Sequence, residues 1–212
     1  NAVNKLLQLN LIEQDGLAPS TGGRRAAQFV PNEKHLPLIL SIAIDQFYTS
    51  VVVVDFKNQY KTAINTEVID LREDDAYEKI IALTKNTIKQ TDAYQIYGIG
   101  VTIPGFVDSK TGKNNSYSSN SPFYDLKTNI QKEFNLPTFV ENDSSAIAIA
   151  EHKFGSAKSI QDVMVVNLNW GVGLGMILDN ELYRGHSGFA GEFSHIPLSD
   201  SNKLCSCGKK GC

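Results

Sequence analysis

Residues 36–56 read LPLILSIAIDQFYTSVVVVDF. Two apolar runs, 36–45 and 48–56, are rich in Ile, Leu and Val and are separated by only Gln46 and Phe47. Runs of that length and composition predict two strands joined by a tight turn. A third run, QYKTAINTEVID over 59–70, predicts a further strand. Beyond it, 72–90 places Ile80, Ile81, Leu83 and Ile88 at helical spacing, and 94–104 (YQIYGIGVTIP) returns to strand texture. Residues 105–123 are polar and rich in Gly, Ser and Asn, which predicts a long loop or crossover of the kind that often carries function. LKTNIQKEF predicts a helix, LPTFVEN a strand, and SSAIAIAEHKFG a helix stopped at Gly155. Over 37–154 the order is therefore βββαβαβα. Three antiparallel strands followed by parallel units predict a ribonuclease-H-like α/β lobe, the fold used in pairs by actin-like ATPases and sugar kinases.

Outside that block, the N-terminal NAVNKLLQLNLIEQDG has apolar residues at Val3, Leu6, Leu7 and Leu11 and predicts a helix that Gly16 can end. Pro19, Gly22 and Gly23 then break structure, and Arg25 to Val30 suits a short strand, so a helix followed by a wing is expected. Arg24 and Arg25 on such a wing suit phosphate or minor-groove contact, because the guanidinium donates in a rigid fork. Asn1, Asn4 and Lys5 are the right types for base edges or phosphates, and equally for solvated polar positions. At the other end, DVMVVNLNWGVGLGMILDNELYRG predicts two strands around a Gly-rich centre, with a turn at Asp179-Asn180.

The 212 residues allow one large domain or two small ones. Apolar residues make up 42% and charged residues 20%, as in ordinary globular proteins. A net charge of −3 excludes a global basic field, so any nucleic-acid contact must come from a local patch. No apolar run approaches a membrane span, and the first residues lack the basic and small-residue marks of a signal peptide. The absent initiator Met leads to the expectation that the chain starts within a longer protein. All 3 cysteines fall in the last eight positions, CSCGKKGC. That clustering predicts a metal site in a reducing cytoplasm rather than disulfides. Cys205, Cys207 and Cys212 supply three thiolates, and the nearest fourth ligand is His195. Four protein ligands make the expected zinc structural rather than catalytic; the alternative is a frayed tail of loose thiols.

Three further stretches carry candidate chemistry. Asn142 and Asp143 stand between a strand end and a helix start, where open α/β sheets bind ligands. Asp143 suits a general base or hydroxyl acceptor; alternatively, Asp143 or Ser144 caps the helix. Gly171, Gly173 and Gly175 alternate, which suits either backbone approach to a phosphate or close strand packing. Trp170 beside them fills space that a phosphate would need. Glu192 and His195 lie three apart and can face one cleft; otherwise Glu192 is a surface carboxylate.

These pieces, in this order and over nearly the whole chain, resemble the ROK family of sugar-responsive repressors and sugar kinases. The resemblance lies in STGGRRAAQFVPN, IPGFVD, VENDSSAIAIAEHKFG, GVGLGMILDNELYRGHSGFAGEFSHI and CSCGKKGC. It implies zinc held by His195, Cys205, Cys207 and Cys212, and a sugar or sugar phosphate held by Asn120, Asn142, Asp143, Glu192 and His195, with Asp143 the base in the kinases. Ser194 stands where the family usually has Gly. The kinases' Asp-x-Gly-Gly-Thr phosphate loop is here Asp45-Gln46-Phe47-Tyr48-Thr49, and their Gly-Thr-Gly is Asn169-Trp170-Gly171. Bulky side chains replace glycines that let a backbone approach phosphate. These departures imply a cytoplasmic repressor that senses a sugar without phosphorylating it, binds operator DNA and assembles as a homodimer or homotetramer. A sugar kinase with an unusual phosphate loop is the alternative, and a zinc-stabilised interaction module without a small ligand a third. The expected division is 1–34 for the end of a winged helix-turn-helix, with Gly22, Gly23, Arg24 and Arg25 on its wing, 35–115 for the first lobe and 116–212 for the start of a second. The chain is expected to be a fragment of such a protein, cut inside the recognition helix and after the last zinc ligand.

Overall fold

The structure, a computed structural model, describes residues 2–19, 25–32, 35–91, 96–205 and 207–212. It opens with helix α1 (Ala2–Gln8) and the antiparallel hairpin β1 (Ile12–Leu17) and β2 (Ala27–Pro31). The helix is shorter than its apolar spacing predicts. Asn10 adopts a left-handed φ of 54°, the Asn10 N–H donates to the Leu7 carbonyl, and the Leu11 N–H donates to the Leu6 carbonyl. That pair of bonds closes a helix C-terminus in the Schellman manner. Leu11 thus belongs to the turn, and Gly16 lies within the first strand of the hairpin instead of ending a helix. Among the described residues this region is one helix and one hairpin; a helix-turn-helix is not seen there.

The predicted central lobe forms as one five-stranded sheet. Strands β3 (Leu38–Ile44), β4 (Tyr48–Asp55) and β5 (Asn65–Val68) pair antiparallel. After helix α2 (Ala76–Ile88), strand β6 (Ile96–Ile103) pairs parallel with β3. The polar loop that follows carries a small hairpin, β7 (Val107–Asp108) and β8 (Lys113–Asn114), then helix α3 (Leu126–Phe134) and strand β9 (Thr138–Asn142). The sheet order is β5-β4-β3-β6-β9. Period-two burial explains the strands: Leu38, Leu40, Ile42, Val51, Val53, Ile99, Val101 and Val140 point to one face. Ile80 and Leu83 of α2 and Leu126 and Ile130 of α3 close the core over that face.

The break expected at 115/116 does not coincide with a change of sheet. Strand β9 runs parallel to β6, and α3 packs into the first core, so residues 116–142 fold with the first sheet. The second sheet begins after helix α4 (Asp143–Phe154). It comprises β10 (Val163–Leu168), β11 (Val172–Leu178) and β12 (Glu181–Leu182). Asp179 and Asn180 both have positive φ, 53° and 66°, which suits the two-residue hairpin predicted there. Gly173 and Gly175 face α4. A Cβ on Gly175 would collide with the Ala148 methyl and stand 2.7 Å from the Ser144 carbonyl, and one on Gly173 would collide with the Ser144 hydroxyl. These two glycines therefore serve close helix–sheet packing, not phosphate approach. Residues 183–212 are mostly irregular, with one 3₁₀ turn at Phe193–His195 and a bridge between Leu204 and Lys210. No helix among the described residues is long and apolar enough to cross a membrane.

Candidate functional site

A cleft of about 710 Å³ lies where the two sheets meet. Its floor is the junction of β9 and α4. Asn142, not Asp143 or Ser144, caps the helix: its side-chain Oδ1 accepts from the Ser145 N–H at 3.0 Å. Its amide nitrogen donates to the Gly105 carbonyl at 3.1 Å, tying the helix start to the loop after β6. Relieved of capping, Asp143 lines the cleft half-buried, its carboxylate accepting from the Ser144 N–H at 2.7 Å. Burial pushes the Asp143 carboxyl above the ordinary aspartate range; its hydrogen bonds to Ser144 oppose this and the Asp45 charge adds to it. Beside Asn142, the Glu141 carboxylate accepts from both terminal nitrogens of Arg184, at 3.1 and 2.6 Å. Nothing in the sequence marks that pair, whose partners stand 43 residues apart.

Glu192 and His195 enter the cleft from the 3₁₀ turn and the residue before it. Glu192 is reachable by solvent from the cleft, yet desolvation pushes its carboxyl up, with His195 drawing it down and Asp143 raising it further. The cleft wall on that side includes Cys205 and Cys212. Ligand atoms of His195, Cys205, Cys207 and Cys212 all lie within 4.8 Å of one another. Cys207 Sγ and Cys212 Sγ are 3.6 Å apart, and Cys205 Sγ is 3.5 Å from His195 Nδ1. Bonds of about 2.3 Å to a tetrahedral zinc give sulfur–sulfur edges near ~3.8 Å, so this donor set fits such an ion. Desolvation and then the neighbouring Cys207 and Cys205 sulfurs hold the Cys212 thiol up at about 11, a crowding that a cation relieves. The turn that gathers the thiols depends on Gly211: it has φ +83°, and a Cβ there would collide with the Ser199 carbonyl.

The stretches that differ from the kinase pattern also reach the cleft. Asp45, Gln46, Asn169, Trp170 and Gly171 all line it. Phe106 and Phe189, which the sequence did not single out, add an edge-to-face pair with centroids 5.8 Å apart. Asn120 does not join the site: it is exposed and absent from the cleft lining. In its loop the buried asparagine is Asn114, which donates to the Pro104 carbonyl at 2.9 Å and shapes the turn at Gly105. Of the expected DNA contacts, Asn4, Lys5 and Arg25 are exposed, the first two on α1 and the last ahead of β2. Asn1, Gly22, Gly23 and Arg24 lie outside the described residues.

Comparison with known proteins places this arrangement. The xylose repressor of Bacillus subtilis is 34% identical over 218 residues, covering 99% of this chain and 55% of that protein. A solved ROK family transcriptional regulator, a homologue of the E. coli MLC protein, superposes with a TM-score of 0.72 at 26% identity, covering 99% of this chain and 54% of its own. A ROK family glucokinase from Streptomyces griseus, solved with glucose and AMPPNP, gives a TM-score of 0.69 at 28% identity over 82% of this chain and 55% of its own. The chain thus spans about half the length of the curated relatives it matches. The description "ROK family" matches residues 41–212, well over half of the chain, so this chain belongs to the ROK family.

Proposed function

We propose that this chain is the sensing part of a sugar-responsive transcriptional repressor, and that its cleft binds a sugar or sugar phosphate without phosphorylating it. One observation carries the reading. Asn142, Asp143, Glu192 and His195 converge on one cleft, and the hairpin tips at its mouth carry Phe47, Tyr48 and Trp170 where a nucleotide's phosphates need bare backbone. Asp143 and Glu192 accept sugar hydroxyls, and the Asn142 amide has one further proton and lone pair beyond its cap. His195, Cys205, Cys207 and Cys212 hold a structural zinc that fixes the His195 ring. Residues 1–34, with Asn4, Lys5, Arg24 and Arg25, contact operator DNA, in a homodimer or homotetramer. The lobes divide at the β9–α4 junction. Sugar binding shifts lobe and dimer geometry and so the spacing of paired DNA-binding elements.

The named relative makes xylose the first sugar to try. The test is a gel-shift titration of the complete protein on its own upstream DNA, with xylose, glucose and their phosphates. A specific shift that one sugar relieves or strengthens supports the reading. The same sugar should lose affinity in Asp143→Ala and Glu192→Ala, and unchanged affinity in both would place the pocket elsewhere. The alternative is a sugar kinase, favoured by the raised Asp143 carboxyl, which suits a base, and by the likeness to a glucokinase. Sugar-dependent ATP turnover by the complete protein would establish it.

A further inference from the structure

Two hairpin tips from different sheets meet at the mouth of the cleft: the β3–β4 turn, residues 45–48, and the β10–β11 turn, residues 169–171. Phe47 and Trp170 pack edge to face, with centroids 4.5 Å apart and planes at 89°. The Arg72 guanidinium, itself paired with Asp70 at 2.6 Å, stands 5.2 Å from the centre of the Phe47 ring. The Asn169 side-chain amide donates to the Asp45 carboxylate and, at 2.9 Å, to the Tyr48 hydroxyl. These partners are 124 and 121 residues apart, so the contacts join the two sheets rather than close a local turn. Trp170 is still 71% exposed, which places its ring at the rim.

We propose that Phe47, Asn169 and Trp170 form an interlobe clasp, and that these positioning residues set how far the cleft opens for its ligand. An aromatic pair in this geometry is directional, so it favours one separation of the sheets. The two Asn169 bonds favour the same one. A ligand gripped from both sheets binds only that arrangement well, so loosening the clasp lowers the competent fraction and weakens apparent affinity in proportion. This last step rests on the sugar-binding reading above; the clasp does not.

Trp170 is the 1 tryptophan of these 212 residues, so with any tryptophan elsewhere in the complete protein replaced by Phe its emission reports on the clasp alone. In the full chain, Phe47→Ala is expected to increase acrylamide quenching of Trp170 emission. It is also expected to weaken xylose or glucose binding, measured by calorimetry, by about 2- to 10-fold, the range that follows from losing one aromatic pair. Phe47→Tyr keeps a ring and should retain both properties, which separates the clasp from a general folding defect. Unchanged quenching in Phe47→Ala overturns the clasp, as does increased quenching with unchanged sugar affinity. If the unaltered protein binds no sugar, the sensing reading fails by itself. The clasp is then decided by quenching together with a urea-unfolding cycle of Phe47→Ala and Trp170→Ala, where strict additivity overturns it.

Discussion

Asn142 and Asp143 divide two tasks between neighbouring side chains. A helix start leaves orphan N–H groups, and a short polar side chain satisfies one of them. Asn142 does this and also holds Gly105, so the aspartate beside it is left to face the cleft. That placement has a cost in stability whose sign follows from its titration. The Asp143 carboxyl is raised in the folded protein by burial and has its ordinary value when unfolded. Between those two values the folded state holds the extra proton, so stability falls as pH rises through that window, and above it the ionised carboxylate is a standing penalty. Asp143→Asn should therefore raise Tm at pH 7, and the gain should vanish below the ordinary aspartate range, where both forms are neutral. Calorimetric melts at pH 7 and pH 3 check this; a lower Tm at pH 7 would mean that the carboxylate is stabilising where it sits.

Helix α4 and strand β11 are where the choice between two readings of one glycine pattern is settled by packing. Gly173 and Gly175 let the helix lie on the sheet, whereas Gly171, at the hairpin tip, has open space where a Cβ would go. Gly175→Val should destabilise by about 1–3 kcal/mol, the usual cost of overfilling a packed interface, while Gly171→Ala should stay within roughly 0.5 kcal/mol. Urea midpoints compare the two, and equal effects would remove the distinction. The sequence alone could not make it, because alternate glycines look the same whether a helix or a phosphate approaches. The five-stranded sheet was legible because period-two burial at Leu38, Leu40 and Ile42 is a local signal. The length of α1 was misread because Leu11 keeps the helical spacing while Asn10 turns the chain. Strand β9 was read within the βββαβαβα order, yet the boundary at 115/116 cut it from the first sheet, because no change of composition marks where one sheet gives way to the next. Asn142, Asp143, Glu192 and His195 were legible as motifs and do converge on the cleft; Asn120 was placed by loop position only and falls outside. The clasp and the Glu141–Arg184 pair depend on partners far apart in sequence, which no window of residues contains.

Across the molecule, regular structure is unevenly distributed, and the His195–Cys205–Cys207–Cys212 cluster sits where it is sparsest. The first sheet buries a continuous core, with Leu40, Ile42, Val51 and Val53 fully inside. Among the described residues, 192–212 hold no strand or α-helix, and they bring Glu192 and His195 to the cleft on a few backbone bonds, such as Leu198 N–H to the Gly211 carbonyl and Cys205 N–H to the Lys209 carbonyl, each 2.8 Å. Segments with few buried apolar contacts open first unless something else ties them. An ion held by these four side chains would tie the segment at both of its ends, so on the zinc reading its order should be metal-linked while that of the first sheet is not. The purified protein should carry about one zinc per chain, and Cys207→Ser should lose it. Chelation should accelerate amide exchange at Leu198, Cys205 and Gly208 and leave Val51, Val53 and Ile99 protected. Sugar affinity should fall with it, because Glu192 and His195 stand on the released segment while Asn142 and Asp143 stand on the intact junction. A residual, weakened affinity is thus the expected result. Unchanged exchange in the metal-free protein would show that backbone bonding alone orders this wall, and unchanged affinity would remove Glu192 and His195 from the ligand's partners.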